Sequence, residues 1–365
     1  MGGSFGYPSV LLRQFKTKES ILQPDLDMTT WIISTYALAG LPSIFMPNIM
    51  QIRGRKFAFV CSSLLLTIGW LSTFFASTTT ALIIAQVFSG LGSNCVIVVN
   101  LMSLSEMLAP KYRSLSLMML GVSQCLGMTG VSAIGTFLKW QTVALIMTFP
   151  VLTALIMAIA WTESPFWLAY MGEYEKCEKT FVRLRGGEKE AMDELQALLR
   201  AQKEIERNIT GRYPVKQKFR NLLKKDFYIP IGYMFLILSN LYLSGTAALY
   251  IYSQHVMEEA TGNLNAAFNG NVFRDVFLVI GTFITLGLVK FYEPKSILLL
   301  STFGSVVFLF CCSLVTYLQK LNIVPANSLL FIYIYCLYCV FNFFGLNFLS
   351  CSLSVELLPV KHRGL

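Results

Sequence analysis

Apolar runs of about the length needed to cross a bilayer recur along this chain, and they limit its fold more than any other feature. One reads FAFVCSSLLLTIGWLSTFFA over residues 57–76, and the next reads ALIIAQVFSGLGSNCVIVVNLMSL over 81–104. A helix needs about 20 residues to cross a hydrocarbon layer roughly 30 Å thick. Nine complete spans are expected, near 28–50, 57–76, 81–104, 115–138, 142–161, 229–254, 271–290, 296–318 and 327–352, with a partial one over 1–12. No single core could absorb them. Of the 365 residues 55% are hydrophobic and 13% charged, against about 25% charged in ordinary soluble domains. In lipid each backbone polar group must be satisfied within its own segment, which leaves helices. The expected class is an all-α polytopic membrane protein.

The polar stretch 163–227 interrupts this pattern. Its segment EKEAMDELQALLRAQKEIERN has helical spacing and a solvated face, as a charged helical linker would. It separates an N-terminal half, 1–162, from a C-terminal half, 228–365. The net charge of +9 suggests nucleic acid until its placement is considered. Alternate short loops carry Arg53, Arg55, Lys56, Lys111, Arg113, Lys290, Lys295, Lys361 and Arg363, while the intervening ones carry only Arg13, Lys16, Lys18, Lys139 and Lys320. Short cytoplasmic loops hold the excess of Lys and Arg, so the basic charge reads as topology and no nucleic-acid partner is expected. The richer loops and the linker are then cytoplasmic, and the sequon at Asn208 is expected to be unmodified. Cys336 and Cys339 lie inside a span and read as packing. Two histidines in the whole chain, with no paired acids inside the spans, leave no expected metal, cofactor or enzyme site.

Two cassettes stand out. SEMLAPKYRS places Glu106 seven residues before Arg113, with Pro110 between. SVELLPVKHRG places Glu356 seven before Arg363, with Pro359 between. Each follows a long apolar run on the same expected side. A charge is costly at the bilayer centre and cheap at its edge, so such residues can pair across helix ends and lock a bundle. Their repetition indicates a duplicated unit of six spans.

These cassettes, with PNIMQIRGRK after the second span and TESPFWLAYMGEYEKCEKTFVRLRG after the sixth, resemble the sugar-porter branch of the major facilitator superfamily, and within it the insect facilitated trehalose and glucose transporters. The resemblance implies twelve helices in two six-helix halves around a cavity open alternately to each side. Against that frame helix 1 is partial, helices 2–10 are present and 11–12 are absent, and the chain reads as an incomplete copy. The implied gating network is Arg55 and Lys56 with Glu106, Arg113 with Glu163, and Glu356 and Arg363 in the second half. Gln51 and Pro47 depart from the family's Asp and Gly.

A sugar offers hydroxyls, so its cavity needs amides, hydroxyls and aromatic faces. Gln124 matches the family's sugar-facing glutamine. In LYLSGTAALYIYS, Ser244 is kept, whereas Leu241, Tyr242 and Ala247 replace two glutamines and an asparagine. Tyr242 and Tyr250 are candidate substitutes, and Asn347 is the candidate in span ten. Arg274 and Asp275, near the outer end of span eight, are expected to pair with each other or to meet water. The expected function is facilitative transport of trehalose or a hexose by a plasma-membrane, multi-pass monomer, without proton coupling. The alternative is a transporter-like solute sensor.

Overall fold

The computed structural model describes residues 1–15, 22–208, 225–289, 291–325, 328–347, 349–350 and 353. Among these there is helix and no strand. In chain order the helices are α1 (Gly2–Phe15), α2 (Leu26–Leu38), a 3₁₀ turn (Leu41–Phe45), α3 (Met46–Arg53), α4 (Arg55–Phe75), α5 (Thr79–Met107), α6 (Pro110–Phe137) and α7 (Trp140–Ala160). Three helices of the polar stretch follow: α8 (Pro165–Tyr170), α9 (Tyr174–Arg185) and α10 (Lys189–Asn208). The rest are α11 (Lys225–Leu243), α12 (Thr246–Ile251), α13 (Ser253–Thr261), α14 (Leu264–Leu288), α15 (Pro294–Lys320) and α16 (Leu330–Phe341), which runs into a π turn at Asn342–Leu346.

Local chemistry sets many of these ends. The side chain of Thr78 accepts the Ala81 N–H at the start of α5, and that of Asn263 accepts the Asn265 and Ala266 N–H groups at the start of α14. Such caps satisfy donors that have no partner inside the helix. Pro110 and Pro294 each open a helix, where a missing N–H costs nothing.

Among the described residues, eight helical stretches are long and apolar enough to cross a membrane. Two expectations change. The span expected over 327–352 is α-helical over Leu330–Phe341, widens into the π turn at Asn342–Leu346 and is α-helical again at Asn347, Leu349 and Ser350. There the Ser301 hydroxyl of α15 donates to the Phe341 carbonyl at 2.6 Å and accepts the Leu346 N–H at 2.7 Å, taking the place of ladder bonds and widening the turn. The span expected over 271–290 begins earlier, at Leu264. Asp275 therefore lies mid-helix and not near an end.

The helices gather into two compact units, interleaved in sequence. One comprises Met1–Gln23, Leu117–Val143 and Tyr228–Leu365. Here Cys125 and Met128 of α6 share one buried cluster with Tyr250, Met257, Leu278, Phe331 and Tyr335. Helix α1 joins it through Tyr7, whose hydroxyl donates to the Trp140 carbonyl, and Gln14, whose amide donates to the Gly135 and Leu138 carbonyls. Tertiary packing thus draws α1 and most of α6 to the later helices, across the sequence boundary expected at 162.

The other unit comprises Pro24–Ser116 and Ala144–Phe227. Gly69 of α4 packs against Ser89 of α5, and Gly92 of α5 against Leu66 of α4, all four buried. Small residues of this kind let helix backbones approach in lipid. Helices α8, α9 and α10 enclose their own small core of Leu168, Ala169, Cys177, Phe181 and Leu195. Burial pushes the Cys177 thiol up to about 11, leaving it a poor nucleophile at neutral pH.

Candidate functional site

The unit containing α4 and α5 holds a charge cluster at the α3–α4 turn. Gly54 makes the turn with φ 94°, a conformation that favours glycine. A Cβ there would also meet the Glu163 carboxylate, 3.0 Å from its Cδ. Arg55 opens α4 and is 7% exposed. Its guanidinium grips Glu106, near the end of α5, with Nε to Oε2 at 2.8 Å and Nη2 to Oε1 at 2.7 Å. Its Nη1 donates to the Met50 carbonyl. This two-point geometry is the strong form of an arginine–carboxylate pair. The Ser164 hydroxyl also donates to Glu106 Oε2, at 2.7 Å.

Glu163 acts differently from the expected partner of Arg113. Its oxygens accept the backbone N–H groups of Arg55 (2.7 Å), Lys56 (3.1 Å) and Ser164 (3.1 Å). A carboxylate from a distant segment thereby caps the N-terminus of α4, where the helix dipole favours negative charge. Among the described residues no ion pair joins Glu163 to Arg113, whose Nε donates to the Leu108 carbonyl. Nor does Lys56 pair with Glu106: its ammonium donates to the Ile159 carbonyl at 2.6 Å. Backbone ends compete for these charges, and residue spacing alone does not display that competition. Glu356 and Arg363 lie outside the described residues.

Arg185 completes the cluster and was not among the expected residues. From the end of α9 it donates to the carbonyls of Glu106 (2.8 Å), Met107 (3.3 Å) and Leu108 (3.0 Å), the free acceptors at the end of α5. Its guanidinium lies 4.8 Å from the Phe181 ring centroid, and Glu194 Oε2 is 2.6 Å from its Nη1. The helical linker is thus fastened to the same helix end that carries Glu106. The LRG tripeptide over 184–186 was the available signal.

The other unit holds a polar cluster at two helix breaks. Gly245, φ 75°, separates α11 from α12, and the π turn interrupts α16. Broken helices expose backbone groups, and in membranes they occur where those groups face protein or a cavity. The Ser244 and Thr246 hydroxyls are 2.6 Å apart, and Thr246 donates to Asn342 Oδ1 at 2.8 Å. The Tyr338 hydroxyl donates to the Ser244 carbonyl at 2.9 Å, and the Tyr335 hydroxyl to the Leu249 carbonyl at 2.6 Å. Asn342 is fully buried. It is the amide of span ten that enters this network, while the expected Asn347, five residues later, is half-buried at the end of the π turn. Replacing Asn342 with alanine strands the Thr246 donor. It is expected to cost about 1–3 kcal/mol and to lower transport, whereas Asn347→Ala is expected to cost under about 0.5 kcal/mol. Thermal unfolding of the two purified variants compares them.

Of the other expected residues, Gln124 is half-buried beside Cys125 on α6. Tyr242 is 72% exposed at the surface of its unit, so the structure does not bring it to Ser244's network. Tyr250 is buried, with the Arg274 guanidinium 4.3 Å from its ring centroid. Arg274 pairs with Asp275 through Nε at 3.0 Å and Nη2 at 2.6 Å, and its Nη1 donates to the Tyr250 carbonyl and to the Ser253 hydroxyl.

Comparison with known proteins places this architecture. Sugar transporter ERD6-like 18 of Arabidopsis thaliana is 25% identical over 98% of this chain and 74% of its own length. Facilitated trehalose transporter Tret1 of Drosophila mojavensis is 24% identical over 92% of this chain but only 38% of its own length. Among solved structures, the proton:xylose symporter XylE, of the major facilitator superfamily, bound to 6-bromo-6-deoxy-D-glucose, matches with a TM-score of 0.72. That match has 14% identity and covers 98% of this chain and 84% of XylE, a likeness that speaks to fold alone. The pattern of one transporter family runs from residue 3 to residue 365, and the chain belongs to the sugar (and other) transporter family.

Proposed function

We propose that this protein carries a neutral sugar, trehalose or a hexose, across the plasma membrane by alternating access and without proton coupling. The observation that carries the reading is the buried hydroxyl–amide network of Ser244, Thr246, Tyr338 and Asn342 at two facing helix breaks, on a chain of the sugar-transporter family. Groups of this kind match what a sugar presents. Gln124 supplies a further amide, and the proposed halves divide at the linker, 1–162 and 228–365. The Arg55–Glu106–Glu163 cluster serves as the cytoplasmic lock of the first half.

The absence of proton coupling is supported by the charge inventory of the span-length helices. Asp275 is the one carboxylate there lying more than a turn from a helix end, and it is committed to Arg274. A coupling proton needs a titratable group that can be released within the membrane. The sugar itself is suggested by likeness to a protein named as a facilitated trehalose transporter.

A second reading, a solute sensor that binds without carrying, is favoured by one observation. At the two positions where the resemblance implies glutamines, Leu241 is an apolar core residue and Tyr242 is largely exposed. Uptake and counterflow of labelled trehalose, glucose and fructose separate the two readings. Saturable flux is expected, insensitive to a protonophore and weakened at least about tenfold by Gln124→Ala. Binding without counterflow would establish the sensor, and flux abolished by the protonophore would overturn the uncoupled mechanism.

A further inference from the structure

The Arg274–Asp275 pair does more than balance its own charge. Asp275 lies eleven residues after the start of α14 and thirteen before its end, about 16 and 20 Å along the axis. This is close to mid-membrane for a helix that spans. Both Arg274 bonds fall on Oδ1. Among the described residues Oδ2 accepts no hydrogen bond, and the side chain keeps 9% of its surface accessible. The same guanidinium lies 4.3 Å from the Tyr250 ring centroid, and the Tyr250 hydroxyl, on a residue 4% exposed, is buried with no hydrogen-bond partner among the described residues. A buried hydroxyl without a partner costs free energy that a bound group can recover.

Arg274 holds these two ends together. Its Nη1 fastens the Tyr250 carbonyl and the Ser253 hydroxyl, its Nε and Nη2 fasten Asp275, and its cationic face covers the Tyr250 ring. The site therefore offers one anionic acceptor and one phenolic hydroxyl. Each of the three guanidinium nitrogens is already donating, so little remains to receive an anion.

We propose that Asp275 Oδ2 and the Tyr250 hydroxyl form a subsite for hydroxyl groups of a neutral sugar, with Arg274 as the positioning residue. The carboxylate accepts from a substrate O–H, and the phenol exchanges a hydrogen bond with a neighbouring oxygen. The proposal rests on the transport reading and names the chemistry that selects its substrate.

The test uses the full chain in cells and in detergent. Tyr250→Phe keeps the ring under Arg274 and removes only an unpartnered hydroxyl, so its thermal unfolding midpoint should equal or exceed wild type. The KM for the carried sugar, among glucose, trehalose and fructose, should rise about tenfold. Monodeoxy analogues of that sugar locate the contact: one position should be penalised in wild type and lose that penalty in Tyr250→Phe. Asp275→Asn should weaken binding of the same analogue series. If Asp275→Asn fails to fold, Tyr250→Phe alone decides. An unchanged KM, or uniform weakening across all analogues, would overturn this subsite while leaving transport in place. A wild-type chain that neither moves nor binds any of the three sugars would overturn the transport reading and the subsite together.

Discussion

Glu106→Gln is expected to lower stability by about 2–4 kcal/mol and to cut transport by more than tenfold. Removing one member of a buried, hydrogen-bonded charge pair leaves the other charge desolvated, and that penalty exceeds the net value of the pair. Arg55 is the charge left behind. The residue is 7% exposed and would keep the Met50 carbonyl and one amide oxygen as acceptors, with its positive charge unbalanced. The Glu106 side chain retains 17% exposure, which places the cost toward the lower part of the range for wholly buried pairs. Gln keeps one acceptor oxygen, so either Arg55 Nη2, or Arg55 Nε together with the Ser164 hydroxyl, meets the amide NH2 in place of an acceptor. Lys56→Ala is the control: its ammonium meets one backbone carbonyl at an exposed position, and the change should stay within about 0.5 kcal/mol. Thermal unfolding of the purified variants, with uptake measured at matched surface expression, checks both. Equal midpoints for Glu106→Gln and wild type would mean that the two-point contact contributes nothing.

The residue types of this cluster were legible in the sequence because the chemistry is local at each corner. Gly54 precedes Arg55 at a turn, Glu106 ends an apolar run, and Glu163 begins a polar one. Their pairing was not legible. Glu163 goes to the N–H groups that open α4, and Arg185 arrives from a polar helix about eighty residues away in sequence. Helix ends carry partial charges that no side-chain inventory displays. The apolar blocks gave the class of fold and most of the spans, since span length is imposed by the bilayer and not by tertiary contacts.

Two of the last three spans resisted reading for a different reason. In α14 the residues Asn263, Asn265, Asn269, Asn271, Arg274 and Asp275 dilute the apolar signal over its first half, so the expected start fell at 271. The cap at Asn263 marks the true start. In α16 the π turn depends on a serine of α15, and nothing in CVFNFFGLNFL shows which asparagine would face Thr246. A helix whose ladder is completed by its neighbour does not carry that information in its own periodicity.

Arg274→Met is expected to be the most damaging single change in the chain, and Arg274→Met/Asp275→Leu is expected to undo most of the damage to the fold. Arg274 is 1% exposed and Asp275 6% exposed. Removing the arginine leaves a carboxylate at mid-helix without the partner that grips it, at a cost of about 3–5 kcal/mol. Replacing both with apolar residues of similar volume removes the desolvation penalty along with the attraction, an exchange that is often neutral or stabilising. The Tyr250 carbonyl and Ser253 lose one donor each in either variant. Asn271 still accepts the Ser253 hydroxyl at 2.7 Å, so the remaining deficit is small. The double variant should therefore unfold close to wild type and still fail to carry sugar. That outcome would separate the pair's role in the site from any role in holding the fold. A double variant as unstable as Arg274→Met would show instead that the guanidinium's bonds to Tyr250 and Ser253 hold this unit together. A double variant that transports normally would remove Arg274 and Asp275 from the site altogether.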